Sequence, residues 1–377
     1  MSNPKPIKIL LTGGGTGGHI TPLLAVISQI RKLNPEIQIL YVGRKQDINA
    51  YFVDIDVATK SILTGKLRRY FSWLNFTDLI KVFLGTIQSL FIVLINKPNL
   101  IFAKGGFVSV PVVLAARICG VPIIAHESDI IIGLANKISA RWAKFIAVGF
   151  EPKNYIDISQ KKLIFTGNPI RDDFIAVASK EQKSLIIGKK KIDHKLPVLL
   201  ITGASSGAHR INELVHAVLL DLLKKMTIIH ISGRGDYNWL ENEKKKLSEQ
   251  TLSRYHLYSF LSGEMAQAMN FADLVVSRSS ANLLSELAVL KKPAIIIPLS
   301  TSASNHQWHN AKIFQRGGAI ELIDERKASP ADLKEIILET IKDKKKCKLL
   351  SENINKFAHP EAALKLAQLI IKESYNM

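Results

Sequence analysis

The sequence predicts an α/β protein made of two Rossmann-like halves, each built on a parallel sheet. Three observations carry this. Short apolar runs, of a length suited to buried strands, alternate with helical stretches. The alternation starts afresh near residue 197 of the 377. Each round opens on a loop of small residues between a strand and a helix, at 13–18 and again at 203–208. In doubly wound sheets such loops sit at the carboxyl ends of strands, where ligands bind.

The strand-like runs of the first half are 7–11, 37–42, 100–103, 122–125, 145–148 and 163–166. After the first comes Gly13-Gly-Gly-Thr-Gly-Gly-His-Ile-Thr-Pro22. Glycines allow a tight turn and a close backbone approach, and the first amides of the helix at 23–32 face a ligand. The loop therefore reads as a seat for phosphate or pyrophosphate. Thr21 is placed to cap that helix, with Pro22 at its first position. Gly13, Gly15 and Gly18 also satisfy G-x-G-x-x-G, so a dinucleotide-binding dehydrogenase is one rival and a purely structural turn another. The dehydrogenase expects an acidic residue ending the second strand. Here Arg44 and Lys45 precede Asp47, a pattern that suits only NADP. His19 adds a titratable group beside the anion seat.

Ahead of the third strand, Gly65-Lys-Leu-Arg-Arg-Tyr-Phe-Ser-Trp73 mixes cations with aromatics. It leads into an apolar helix at 74–95, polar only in a thin strip at Thr77, Lys81 and Gln88. One reading is a crossover helix sandwiched in the core. The other is an interfacial surface, with Lys66, Arg68 and Arg69 meeting lipid phosphates, and both can hold on different faces. The third strand is followed by Lys104-Gly-Gly-Phe-Val-Ser-Val-Pro111, whose paired glycines let amides approach a ligand and whose Ser109 can cap the next helix. The fourth is followed by His126-Glu-Ser-Asp129: an imidazole, two carboxylates and a hydroxyl at a strand end. That tetrad is either functional or surface polarity with an N-cap.

The second half repeats the pattern with strands at 197–202, 227–231, 256–260, 273–277, 294–298 and 319–323. The boundary lies within 166–195, where Ser179-Lys-Glu-Gln182 resembles a capping box opening a short helix and 188–195 a polar linker. In Arg278-Ser-Ser-Ala-Asn-Leu-Leu-Ser-Glu286, Ser279 or Ser280 caps a helix with Glu286 one to two turns in. A lone helix glutamate is usually solvated, but in a nucleotide cleft its carboxylate suits both ribose hydroxyls. Asn305-His-Gln-Trp-His-Asn310 offers side-chain amides for sugar hydroxyls. His306 and His309 lack carboxylate neighbours and make a weak metal pair. An amphipathic helix at 360–372 closes the sequence.

Lys and Arg number 51 against 32 acidic residues, a formal charge of +19. The excess points to an anionic partner: a phosphorylated substrate or an anionic lipid surface, with nucleic acid last because no recognised module is present. Cys119 and Cys347 stand in no ligand spacing, so a reducing cytoplasm is the default. There is no signal-peptide core and no run of about 20 uninterrupted apolar residues, which makes the chain soluble or peripheral.

The motifs at 13–22, 105–109, 126–129, 167–171, 203–208, 278–286 and 306–311 stand in one order, and together they resemble the MurG family of peptidoglycan N-acetylglucosaminyltransferases over essentially the whole chain. The resemblance implies the GT-B fold, two facing Rossmann-like domains with an interdomain cleft. Residues 1–168 would form the acceptor and membrane-associating domain, with 360–377 packing back on it, and 169–345 the UDP-sugar domain. It implies UDP-N-acetylglucosamine as donor, lipid I as acceptor, the anionic inner leaflet as docking surface, and inverting transfer without a required cofactor. A divalent cation would assist only at the acceptor pyrophosphate. The donor would touch Thr16, Gly17, Gly18, Arg171, Ser205, Leu261, Ala281, Asn282, Leu283, Leu284, Ser285, Glu286 and Gln307, with Glu286 on the ribose, Ser205 on the diphosphate and Gln307 on the sugar. His19 is the first choice for catalytic base because imidazole titrates near about 6.5, with Glu127 or Asp129 second. The family carries His-Glu-Gln-Asn where this chain has His126-Glu-Ser-Asp129, so Asp129 keeps an acceptor oxygen but loses an amide donor. Ala204 and Ser280 each replace a glycine. Rival activities on this fold are transfer to diacylglycerol or another polyprenyl acceptor, UDP-N-acetylglucosamine 2-epimerisation, and non-catalytic nucleotide-sugar binding.

Overall fold

A computed structural model describes residues 6–66, 73–203 and 207–376. The chain divides into two units, Met1–Arg171 with His359–Met377, and Asp172–Ala358. The first contains β1 (Lys8–Thr12), α1 (Gly17–Leu33), β2 (Gln38–Gly43), α2 (Lys45–Tyr51), β3 (Ala58–Ser61), α3 (Trp73–Asn96), β4 (Leu100–Ala103), α4 (Ser109–Cys119), β5 (Ile123–Glu127), α5 (Leu134–Trp142), β6 (Phe145–Val148) and β7 (Leu163–Phe165). Its seven strands lie in the order β3-β2-β1-β4-β5-β6-β7, and every neighbouring pair is parallel. β1 and β4 are apolar almost throughout because helices cover both faces of the sheet.

The second unit runs through α6 (Asp172–Val177), β8 (Ser184–Ile187), β9 (Lys190–Asp193), β10 (Val198–Thr202), α7 (His209–Ala217), α8 (Leu219–Leu223), β11 (Thr227–Ile231), α9 (Tyr237–Lys244), α10 (Glu249–Leu252), β12 (Tyr255–Tyr258), α11 (Met265–Phe271), β13 (Leu274–Ser277), α12 (Ala281–Val289), β14 (Ala294–Ile296), α13 (His306–Arg316), β15 (Glu321–Leu322), α14 (Pro330–Lys342) and α15 (Lys344–Asn355). Its main sheet is again parallel, in the order β12-β11-β10-β13-β14-β15. α14 packs on α7, and α15 on α12, so this unit extends well past residue 345. The chain then returns to the first unit as α16 (Ala362–Tyr375), which lies against α1. There Leu366, Ala367 and Ile370 join the core formed by Ile9, Leu11, Ile20 and Leu23.

Each sheet has one point where strand order reverses, between β1 and β4 and between β10 and β13. The segments leaving these strands, at 13–16, 104–108 and 278–280, therefore flank the crevice that such a reversal opens at each sheet's carboxyl edge.

Three local expectations are corrected. Thr21 does not cap α1. The helix begins at Gly17 with Thr16 at the N-cap position, Pro22 lies inside it, and the Thr21 hydroxyl donates to Gly17 O at 3.1 Å. Complete burial of Ile20 holds the additional turn. Ser109 opens α4, but its hydroxyl donates to Gly106 O at 2.9 Å and caps nothing. The stretch expected to hold a short helix and a polar linker is the antiparallel hairpin β8–β9. Gly188, at φ +58°, supplies the positive dihedral that a two-residue hairpin loop needs.

Of the two readings of the apolar helix, the packed one holds for one face only. α3 packs along α4, but the face it buries is the small and polar one: Asp78, Gly85, Ser89 and Val93. A Cβ on Gly85 would lie 2.0 Å from Leu63 O, so only glycine permits that approach. On the opposite face Phe76, Ile80, Phe83, Ile87, Phe91 and Leu94, at helical spacing, are exposed. Residues 76–96 have a mean hydropathy of 1.9 and are long and apolar enough to cross a bilayer by length and composition, despite the interrupting polar residues. Lys66 is exposed nearby in sequence, while Arg68 and Arg69 lie outside the described residues.

Candidate active site

In the first unit the loop after β1 is held from beneath. Tyr41, fully buried and stacked on Phe52, donates its hydroxyl to Gly13 O at 2.7 Å. Asp47 accepts from Gly15 N at 3.1 Å and is itself clamped by Arg44 through Nε at 2.9 Å and Nη2 at 2.6 Å. Asp47, the one acidic residue near the end of β2, is thus committed to loop scaffolding. Gly15 has φ +95°, and a Cβ there would meet the Phe107 ring at 2.6 Å. Gly106, at φ +76°, would meet Gly14 O at 2.3 Å. The two glycine loops therefore touch, backbone to backbone, and leave room for no side chain between them.

His19 stands half-exposed in the first turn of α1, with Nδ1 3.0 Å from the exposed Thr16 hydroxyl, and its ring lies over Gly106. Gly17 is buried and Gly18 half-buried in the same turn. Thr16, Gly17, Gly18 and His19 are thus gathered at one helix N-terminus, as an anion seat with an adjacent base requires.

Glu127, named above with Asp129 as a second candidate for the base, ends β5. It is 5% exposed, its Oε1 accepts from Asp129 N at 3.0 Å, and its Oε2 accepts from Gly133 N at 2.8 Å and Asn136 Nδ2 at 3.0 Å. Burial raises its pKa, helped by the neighbouring Asp129. Both oxygens help to close the 127–133 turn. Asp129 is half-buried, and its carbonyl accepts from the Tyr155 hydroxyl at 3.1 Å. His126 is fully buried, with Nε2 3.2 Å from Gly167 O, and burial together with the Lys104 charge holds its pKa well below the ordinary imidazole value. It is a neutral structural residue. Arg171 closes this unit, partly exposed, just before α6.

In the second unit Ser280 caps α12, accepting from Leu283 N at 3.4 Å. Leu284 N donates to Ser280 O at 3.0 Å, and the Ser285 hydroxyl to Ala281 O at 2.8 Å. The Leu283 and Leu284 side chains lie in the core. Ala281, Asn282, Leu283, Leu284, Ser285 and Glu286 are thus gathered in the first two turns of α12, with Glu286 half-buried. Leu261 is buried on the segment after β12. Gln307 opens α13, where its Oε1 accepts from Leu299 N at 2.9 Å and its carbonyl from the Ser279 hydroxyl at 2.8 Å. Asn310 is buried and donates to Ser279 O at 3.2 Å. Arg278 donates to Ile297 O at 3.0 Å and pairs with Glu325 at 2.6 Å. Ser205 and Ala204 lie outside the described residues. Among the described residues no group of three or more His, Cys, Asp or Glu is arranged to hold a metal ion.

Sequence reasoning missed Tyr41, Lys104, Glu325 and the pair Ser304 and Asn305. The last two adopt left-handed backbone at φ +51° and +54° immediately before α13. Such strain is characteristic of functional loops, and no local sequence signal marks it.

Residues 9–148 match the glycosyltransferase family 28 N-terminal domain, and residues 198–367 match the family 28 C-terminal domain. The chain belongs to glycosyltransferase family 28 and, within it, to the MurG family. It is 42% identical over 327 residues to an enzyme of Clostridium kluyveri named UDP-N-acetylglucosamine--N-acetylmuramyl-(pentapeptide) pyrophosphoryl-undecaprenol N-acetylglucosamine transferase, covering 86% of this chain and 88% of that one. It is 35% identical over 375 residues to the transferase of the same name from Borreliella burgdorferi, covering 99% and 98%. Among solved structures it resembles MurG of Acinetobacter baumannii with a TM-score of 0.72, at 22% identity, over 97% of this chain and all of that one. That likeness places it in the GT-B fold. The MurG-family chain therefore carries its loops on the scaffold its sequence implies.

Proposed function

We propose that this chain is the inverting transferase that moves N-acetylglucosamine from UDP-N-acetylglucosamine to the C4 hydroxyl of N-acetylmuramic acid in lipid I, giving lipid II and UDP. The observation that carries the assignment is 35% identity across 99% of the chain to a transferase named for that reaction. The acceptor hydroxyl attacks the anomeric carbon, its proton passes to a base, and the bond to UDP breaks with its electron pair leaving on the diphosphate.

His19 takes the proton. In the tautomer whose Nδ1–H donates to the Thr16 hydroxyl, 3.0 Å away, Nε2 carries the lone pair. The first unit holds the acceptor, with Asp129 accepting from a sugar hydroxyl. The Ala281 and Asn282 amides, Ser205 and Arg171 stabilise the departing diphosphate, in the way helix N-termini hold anions. Glu286 accepts from the ribose hydroxyls, and Gln307 contacts the sugar. The exposed face of α3 docks the enzyme on the inner leaflet of the cell membrane, facing the cytoplasm, and the +19 charge favours an anionic surface.

The test is incubation of the purified chain with radiolabelled UDP-N-acetylglucosamine and lipid I, diacylglycerol or no acceptor. Label should enter a lipid-extractable product with lipid I alone. Transfer to diacylglycerol, or interconversion of the UDP-sugar without acceptor, would replace this reading with a rival.

A further inference from the structure

The second unit contains a cavity of about 490 Å³, and none of the residues named above for donor or acceptor lines it. It is lined from β9, from the end of α9 and from β12. The β8–β9 hairpin is anchored by its apolar side: Leu185, Ile187 and Ile192 are buried, and β8 packs on α11. That leaves the lysines of β9 for the cavity. Lys190 and Lys191 line it together with Lys244 and Lys245, and Glu241 is the one carboxylate among the lining residues. On the β12 side Tyr255 is 1% exposed, and its hydroxyl lies 2.9 Å from His230 Nδ1, which fixes that wall.

Lys244 is 9% exposed and its Nζ donates to Glu241 Oε2 at 3.3 Å. Lys191 lies 3.2 Å from Asp193. Among the described residues no carboxylate is within ion-pair distance of Lys190 or Lys245, and Lys245 Nζ reaches only Asn242 Oδ1, at 3.5 Å. Four ammonium groups against one carboxylate leave three positive charges in excess, two of them without a carboxylate neighbour. Gathered around a concavity, such charges focus a positive potential on the space between them. His256, which also lines the cavity, registers it: burial, then Lys190 and Lys244, bring its pKa from 6.5 to about 4. Ammonium groups on flexible stems meet phosphate oxygens as point charges from several directions. A cavity of this size admits a small organic ligand, and a diphosphate answers the excess charge better than one phosphate monoester, which carries about −2 near pH 7.

We propose that this cavity is a further anion site, taking a small soluble molecule that carries a diphosphate between Lys190 of the hairpin and Lys244 and Lys245 at the end of α9. The site is distinct from the residues assigned to the transfer reaction and does not depend on that assignment.

The experiment titrates the full chain with inorganic pyrophosphate by calorimetry at about 0.15 M salt, with saturating UDP present so that any seat for the donor's diphosphate is already filled. Pyrophosphate should bind saturably with a Kd below about 1 mM, and orthophosphate at least about tenfold more weakly. K190Q/K245Q changes two exposed side chains, so its melting temperature should match the parent's while pyrophosphate affinity falls about tenfold. A bound anion offsets Lys190 and Lys244 and so favours the imidazolium form of His256. Protonation of that ring, followed by NMR as pH falls from neutrality and assigned by its loss in H256Q, should therefore begin at higher pH with pyrophosphate present. Absence of saturable binding overturns the proposal, as does a K190Q/K245Q affinity within about twofold of the parent's. It is also overturned if His256 ignores pyrophosphate while the double substitution abolishes binding to anionic phospholipid vesicles, which would make these lysines a lipid-facing surface.

Discussion

Replacing Phe83 and Phe91 by alanine tests how α3 meets its surroundings. The two rings are 65% and 61% exposed. Taking about 200 Å² for a phenylalanine side chain, each presents roughly 125 Å² to the outside. Moving half of that into the headgroup–acyl boundary, at about 25 cal/mol per Å², stabilises docking by roughly 1.5 kcal/mol per ring. The pair gives roughly 3 kcal/mol, or about 150-fold in a partition coefficient. Because neither ring packs in the core, F83A/F91A should unfold at the temperature of the parent. Co-sedimentation with vesicles containing anionic phospholipid measures the partition directly, and turnover of a soluble short-chain acceptor serves as the control. Vesicle binding should fall by about two orders of magnitude with turnover within about twofold. A change in binding below about threefold would refute the docking role and leave the exposed stripe to be covered by something other than lipid.

Further outcomes follow from the same geometry. H19A should lower kcat by roughly 10²–10⁴ with UDP-N-acetylglucosamine affinity nearly intact, as steady-state kinetics and calorimetry would register; unchanged turnover removes His19 as base. G15A forces a Cβ to within 2.6 Å of Phe107 at φ +95°, so acceptor turnover should collapse while UDP still binds the second unit. E286Q keeps an acceptor oxygen but loses the charge, and should raise the donor KM roughly tenfold with little effect on the acceptor KM. His230, buried between the Tyr255 hydroxyl and Asn212 Oδ1 at 2.9 Å each, has its pKa lowered by burial from 6.5 to about 3. The folded state keeps it neutral, whereas the unfolded chain takes up a proton below about 6.5. Its stabilising contribution is therefore complete above that pH and is lost as pH falls toward 3, by about 1.4 kcal/mol per unit. Denaturant melts at pH 7 and pH 5 should show a steeper loss for the parent than for H230Q, and equal slopes would contradict the assignment.

The two parallel sheets were legible because their strands are nearly uniform apolar runs, such as Leu100-Ile-Phe-Ala103, set between loops of small residues. β3 escaped notice because Ala58-Thr-Lys-Ser61 is a short polar edge strand, with no face buried deeply enough to leave an apolar signature. The β8–β9 hairpin was hidden by its lysines, although alternate positions Leu185, Ile187 and Ile192 are buried. For α3 the composition fits both a face packed on α4 and an exposed one, and the two lie on opposite sides of the helix. An apolar side chain carries no mark of whether protein or lipid will cover it, and the small residues at 85 and 89 were the clue to which face packs. The candidate site residues Thr16 to His19, and Ala281 with Glu286, stand in motifs tied to strand ends, which is why the sequence draws attention to them. Their supports carry no such mark. Tyr41, Asp47 and Lys104 act through contacts between segments far apart in sequence, and Glu127 showed its role only once its three donors were in place.

The return of α16 to the first unit has a consequence for biosynthesis. When residues 1–171 have emerged from the ribosome, the surface that Leu366, Ala367 and Ile370 will occupy beside α1 is still bare, and some 190 residues of the other unit must be made before it is filled. The nascent N-terminal half therefore waits with an open apolar seam, whereas Asp172–Ala358 can close its own core as one continuous stretch. Cutting the gene at the boundary should yield a well-behaved second half and an aggregating first one, unless the α16 peptide is supplied in trans.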